Sequence, residues 1–120
     1  MSGRNIEPFP RGVLVAQPAA DTTYYSDPFE VSDAKTLAYW FETLSSYPAS
    51  VTNPATAYIE TSNVLGFHAW NNLTPAGINP NFGTPETGVV QDPMKYLRVR
   101  MVVLQAEAPL LEFRIVAREQ

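Results

Sequence analysis

Two alternating runs constrain the fold more than any other feature of the sequence. In residues 95–104, Leu97, Val99, Met101 and Val103 alternate with Arg98 and Arg100; in residues 110–118, Leu111, Phe113, Ile115 and Ala117 alternate with Glu112, Arg114 and Arg118. A period of two is what a strand buried on one face requires. Between the runs stand Gln105, Ala106, Glu107, Ala108 and Pro109, and the proline has no N–H with which to continue a ladder. The chain is expected to turn there and the two runs to pair as an antiparallel hairpin.

Earlier stretches read the same way. Residues 12–16 form a short apolar strand, and residues 22–26 another that breaks at Asp27 and Pro28 and resumes at 29–31, as an edge or bulged strand does. Residues 36–44 set Leu37, Tyr39 and Phe41 on one face and Ala38, Trp40, Glu42 and Leu44 on the other, so this strand is expected to lie inside a sheet. Residues 55–62 alternate again, with Ala57 and Ile59 opposite Tyr58 and Glu60, and a turn at Gly66 leads to a short strand ending near Trp70 and Leu73. Residues 74–87 hold three prolines and two glycines and read as a long loop, of the kind that often carries function. Residues 88–91 make one more strand.

Seven or eight short strands with no stretch of helical period describe an all-β chain: a single antiparallel β-sandwich, with jelly-roll connectivity preferred. Residues 1–11, with Pro8 and Pro10 around Phe9, repeat at neither period and are read as an extended N-terminal arm, leaving 12–120 as the sandwich. A frayed end and an arm docked on a neighbouring subunit through Phe9 are the two alternatives there.

Composition narrows the partners. The net charge is −4 and Lys35 and Lys95 are the only lysines, so no basic field gathers phosphates and nucleic acid is not an expected partner. No run approaches the ~20 apolar residues of a membrane span, and residues 1–7 lack the apolar core of a secretory signal. A soluble chain without a membrane partner is expected. The absence of cysteine removes disulfides and thiolate metal sites and fits folding in a reducing cytoplasm.

Recognisable chemistry is sparse. His68 is the one histidine, too few for the three or four protein ligands of a zinc site, so neither metal nor cofactor is expected. Glu42 and Glu60 could in principle form a paired-carboxylate site, but such glutamates are routine on sheet surfaces; no enzymatic activity is expected. Arg98, Arg100, Arg114 and Arg118 read as a basic stripe on the outside of the hairpin, either paired across strands or presented to an acidic partner or another subunit. Trp40, Trp70, Tyr24, Tyr25, Tyr47 and Tyr58 offer stacking faces for sugars if they do not pack the core.

The residues Tyr58, Ile59, Glu60, Thr61 and Ser62, then Trp70 to Leu73, then Lys95 to Arg100, then Phe113 to Ala117 together resemble a group of small virion proteins of tailed bacteriophages and prophages. In that group a strand ending in a Glu-Thr-Ser or Glu-Glu-Ser step precedes a tryptophan, and a Tyr-Leu-Arg-Val-Arg strand precedes the last strand. The likeness spans residues 22–118. It departs from the group at 63–67, here apolar where the group has an Asp/Gly-rich turn, and in the long 74–87 loop.

The resemblance implies a jelly-roll sandwich on the virion, assembled in the host cytoplasm, that binds the outside of the capsid as a decoration or cement protein. Its implied partners are the major capsid protein and copies of itself, with a homotrimer favoured. Phe9, Leu65, Phe67, Phe82, Arg98 and Arg100 are the expected subunit or capsid contacts. A carbohydrate- or receptor-binding module, or a head or tail accessory protein, is the alternative.

Overall fold

The computed structural model describes residues 3–9, 12, 13, 16, 18–46, 53–66, 69–80 and 84–118. Ten strands account for most of them: β1 (Gly3–Ile6), β2 (Gly12–Val13), β3 (Thr22–Tyr25), β4 (Phe29–Glu30), β5 (Thr36–Ser46), β6 (Ala55–Ser62), β7 (Asn71–Asn72), β8 (Glu86–Gln91), β9 (Tyr96–Val103) and β10 (Pro109–Arg118). No helix long and apolar enough to cross a membrane occurs among the described residues.

The strands make two antiparallel five-stranded sheets. The first runs β1-β10-β5-β8 with β2 also on β10; the second runs β3-β9-β6-β7 with β4 also on β9. Because β1 and β2 share one edge, and β3 and β4 another, the chain reduces to nested antiparallel pairs: β1/β2 with β10, β3/β4 with β9, β5 with β8, and β6 with β7. Pairs nested in this way, closed by β5 on β10 and β6 on β9, form a jelly roll.

The inward faces agree with the alternation. Leu97, Val99, Met101 and Val103 of β9 and Leu111, Phe113, Ile115 and Ala117 of β10 are all buried. They meet Leu37, Phe41, Ala57, Ile59 and Ile78 in one core, where Phe41 and Phe113, directly opposite across β5 and β10, stack with ring centroids 5.0 Å apart and planes 19° from parallel.

The hairpin expected between β9 and β10 does not form; the two strands lie in different sheets and face each other across the core. The connection between them spends its backbone groups elsewhere. Leu104 N–H donates to Pro54 C=O, Glu107 N–H to Leu104 C=O, and Ala16 N–H to Glu107 C=O, while Ala106 takes a left-handed φ of 66°. A two-residue hairpin turn would instead favour Gly or Asn at its centre. The basic stripe is therefore divided, with Arg98 and Arg100 outside the second sheet and Arg114 and Arg118 outside the first.

Two further expectations are corrected. Part of the arm is an edge strand, since Gly3–Ile6 pairs with residues 115–118 of β10, and Phe9 packs against the core. The 74–87 stretch is not structureless: Ile78 exchanges backbone hydrogen bonds with Ala57, and β8 begins at Glu86.

Side-chain hydroxyls bridge the breaks in the edge strands. At Asp27 and Pro28, Ser26 Oγ accepts the Val99 N–H at 2.8 Å, holding β3 and β4 on the same neighbour. Beyond β7, Thr74 Oγ1 accepts the Ile59 N–H at 2.9 Å, so residues 74–77 can loop out before Ile78 rejoins β6. Gly77 sits at φ 80° in that loop, and a Cβ there would stand 2.5 Å from Thr56 Cγ2. Only glycine suits both the backbone and the space.

Candidate binding surface

The outer face of the second sheet carries an arginine–aromatic cluster built by strand register. Glu60 lies directly opposite Arg98, and Tyr58 opposite Arg100, on β6 and β9; Tyr25 of β3 lies opposite Arg100 on the other side. The Glu60 carboxylate, buried, accepts Arg98 Nε–H at 2.8 Å through Oε1 and Arg100 Nε–H at 3.1 Å through Oε2. The Arg98 guanidinium lies between two rings, its carbon 4.5 Å from the centroids of both Tyr25 and Trp70, and that of Arg100 is 4.0 Å from Tyr58. Cation–π contacts of this kind hold the planar groups flat against the sheet.

The cross-strand reading of Arg98 and Arg100 is thus the one the geometry supports, and their charge is partly neutralised within the chain. Glu42 belongs to β5 in the first sheet, so it and Glu60 face outward on opposite sides of the sandwich and cannot act as a catalytic pair. No group of three or more His, Asp or Glu side chains suited to a metal ion occurs among the described residues. Leu65 stands out into solvent beside Val64, both more than half exposed, in the turn after β6. Phe67, Phe82, His68 and Tyr47 lie outside the described residues.

The first sheet has a feature that sequence reasoning missed. A shallow depression of about 330 Å³ is lined by Asn5, Ala38, Tyr39, Trp40, Thr87, Arg114 and Val116. Its sequence signal is slight: Ala38 is small beside Trp40, and only the pairing of β1, β10, β5 and β8 gathers the rest. The Arg114 guanidinium carbon is 4.8 Å from the Trp40 ring centroid and its Nη2 is 3.1 Å from Glu112 Oε2. Tyr39 leans over Gly88 towards Glu86; burial, and then the Glu86 charge, push its phenol pKa up from the usual 10.0. The Trp40 face, the Arg114 guanidinium, the Asn5 amide and the Thr87 hydroxyl are groups that can hold a small polar ligand.

No protein-family model matches this chain, and no curated protein sequence does. Solved structures do resemble it. The PBSX exported protein XepA superposes over 98% of the chain with a TM-score of 0.67 at 14% identity, the chain spanning 37% of that protein. Tripeptidyl peptidase 2 matches 98% of the chain at a TM-score of 0.61 and 11% identity, over 10% of its own length. The K2 cleaved adhesin domain of Lys-gingipain matches 98% at a TM-score of 0.50 and 10% identity, over 90% of that domain. At such identities the likeness is one of fold, and the class defined is the all-antiparallel jelly-roll sandwich domain.

Proposed function

We propose that this chain is a non-enzymatic structural protein of a phage particle, binding the outside of the assembled capsid and stabilising it by bridging subunits. The observation that carries the reading is the likeness of the whole chain to part of the PBSX exported protein XepA. It accords with the resemblance carried by residues 58–62, 70–73, 95–100 and 113–117. The major capsid protein is the intended partner, and many linked copies multiply a modest contact. Among the described residues, Val64 and Leu65 are the contacts, because they are exposed and apolar, whereas Phe9 is half-buried against the core and Arg98 and Arg100 are held by Glu60.

Mass spectrometry of density-purified particles, counting this chain against the major shell protein, tests the proposal. Copies near parity are expected; absence from the particle refutes it. Val64→Ser with Leu65→Ser should lower the copy number without altering the melting temperature. A second reading, a sugar-binding module, is favoured by the Trp40 depression. It requires a glycan that changes tryptophan fluorescence in the wild type and not in Trp40→Phe, and a screen without hits removes it.

A further inference from the structure

Among the described residues, the two sheets end in four edges, and three of them are interrupted. Pro8 stands between β1 and β2, Asp27 and Pro28 split β3 from β4, and residues 74–77 loop out beyond β7. Breaks of this kind stop an edge from recruiting further strands. β8 has none: Glu86–Gln91 is in unbroken register with β5, without proline, lysine or bulge. Its Val89 is 56% exposed.

The phase of the β8 ladder identifies which groups face outward. Asp92 N–H donates to Lys35 C=O at 2.9 Å, in register with the β5–β8 pairs. Paired residues in an antiparallel ladder alternate between exchanging hydrogen bonds and not. Glu86, Gly88 and Val90 therefore turn their backbone groups to β5, and Thr87, Val89 and Gln91 turn theirs to the open edge. No described residue pairs with that edge.

We propose that β8 pairs with β8 of a second copy of this chain, antiparallel about a twofold axis through Val89, joining the two first sheets into one continuous sheet. The sequence around Val89 is self-complementary. With Val89 opposite Val89, Thr87 meets Gln91 of the other copy on both sides, and every outward N–H and C=O finds a partner. Pro85 and Pro93 lie four residues either side of Val89. They fall opposite each other where the ladder ends. Moving the axis to Gly88 puts Gln91 opposite Pro85, and moving it to Val90 puts Thr87 opposite Pro93; neither proline can donate. Glu86 and Asp92 face across the pair, a like-charge contact that makes association stronger as salt rises.

The test is sedimentation velocity of the full chain over a concentration series, with engineered cysteines in this cysteine-free sequence. A dimer favoured by higher salt is expected. Val89→Cys should form a disulfide-linked dimer under mild oxidation at least tenfold faster than Thr87→Cys or Gln91→Cys alone. Those positions lie ~13 Å along the strand from their own mates, beyond the reach of a disulfide. Thr87→Cys mixed with Gln91→Cys should cross-link. Val89→Pro removes one outward N–H and no bond to β5, so it should yield monomer with the fold retained by circular dichroism. A chain monomeric throughout the series overturns the proposal, as does Val89→Cys cross-linking no faster than Thr87→Cys. These outcomes are independent of whether the chain is found on particles.

Discussion

Replacing Glu60 by Gln removes the one anion held between Arg98 and Arg100 and puts an amide donor against a guanidinium N–H. The Glu60 side chain is 9% exposed, Arg98 14% and Arg100 28%, so the cluster is closer to a buried network than to a surface pair. Breaking a fully buried network costs roughly 3–5 kcal/mol, and an exposed pair about 0–1 kcal/mol. Partial exposure of Arg100, and the rings that still cover Arg98, bring the expected loss to about 2–3 kcal/mol. For a domain of this size about 1 kcal/mol corresponds to ~4 °C, so the melting temperature should fall by ~8–12 °C. Glu112→Gln is the control: Arg114 is 51% exposed, and the change should cost less than ~0.5 kcal/mol. Differential scanning calorimetry of the two variants decides the matter. Equal shifts, or a Glu60→Gln shift below ~2 °C, would refute the view that this cluster stabilises the second sheet.

Thr74→Val should destabilise by about 1–3 kcal/mol, since it strands the Ile59 N–H beside a methyl group. Thr43→Val and Thr61→Val should have the opposite sign, stabilising by about 1 kcal/mol each, because those buried hydroxyls have no partner among the described residues; a loss in urea titrations contradicts this. Gly77→Ala should cost about 1–3 kcal/mol through its left-handed backbone and the contact with Thr56, and an unchanged midpoint counts against the turn described. Tyr39, with its pKa raised first by burial and then by Glu86, stays neutral in the fold above pH 10.0. The folded state then holds a proton the unfolded chain has lost, so stability should fall as pH rises through this range. Absorbance titration should find Tyr39 ionising late, as an inflection present in the wild type and lost in Tyr39→Phe. It should ionise earlier in Gly88→Ala, whose methyl would collide with the Tyr39 hydroxyl and displace the ring; identical titrations sink the assignment.

Alternation made the buried faces of β9 and β10 legible to the residue, yet not the sheet in which each strand lies. A period of two specifies which side chains turn inward, and both a hairpin and a crossing between sheets satisfy it. The edge position of β3 and β4 was legible because Pro28 interrupts them. The loop-out after β7 was not, because a threonine hydroxyl stands in for a backbone carbonyl there. Arg98 and Arg100 were readable as outward-facing, but their clasp by Glu60 depends on the β6–β9 register across 38 residues of chain. The Trp40 depression needs four strands from separate parts of the sequence and left almost no local trace.

The nested pairing also orders the birth of the protein. The central strands of both sheets, β9 and β10, are the last two of the ten, so while the chain emerges from the ribosome β5 and β6 wait without their inner neighbours. Only β6 with β7 and β5 with β8 can associate before then, leaving apolar flanks open to solvent and to other nascent chains. Completion of both sheets therefore waits for β9 and β10, and for the closure of the long loops that bring β1 to β4 onto them.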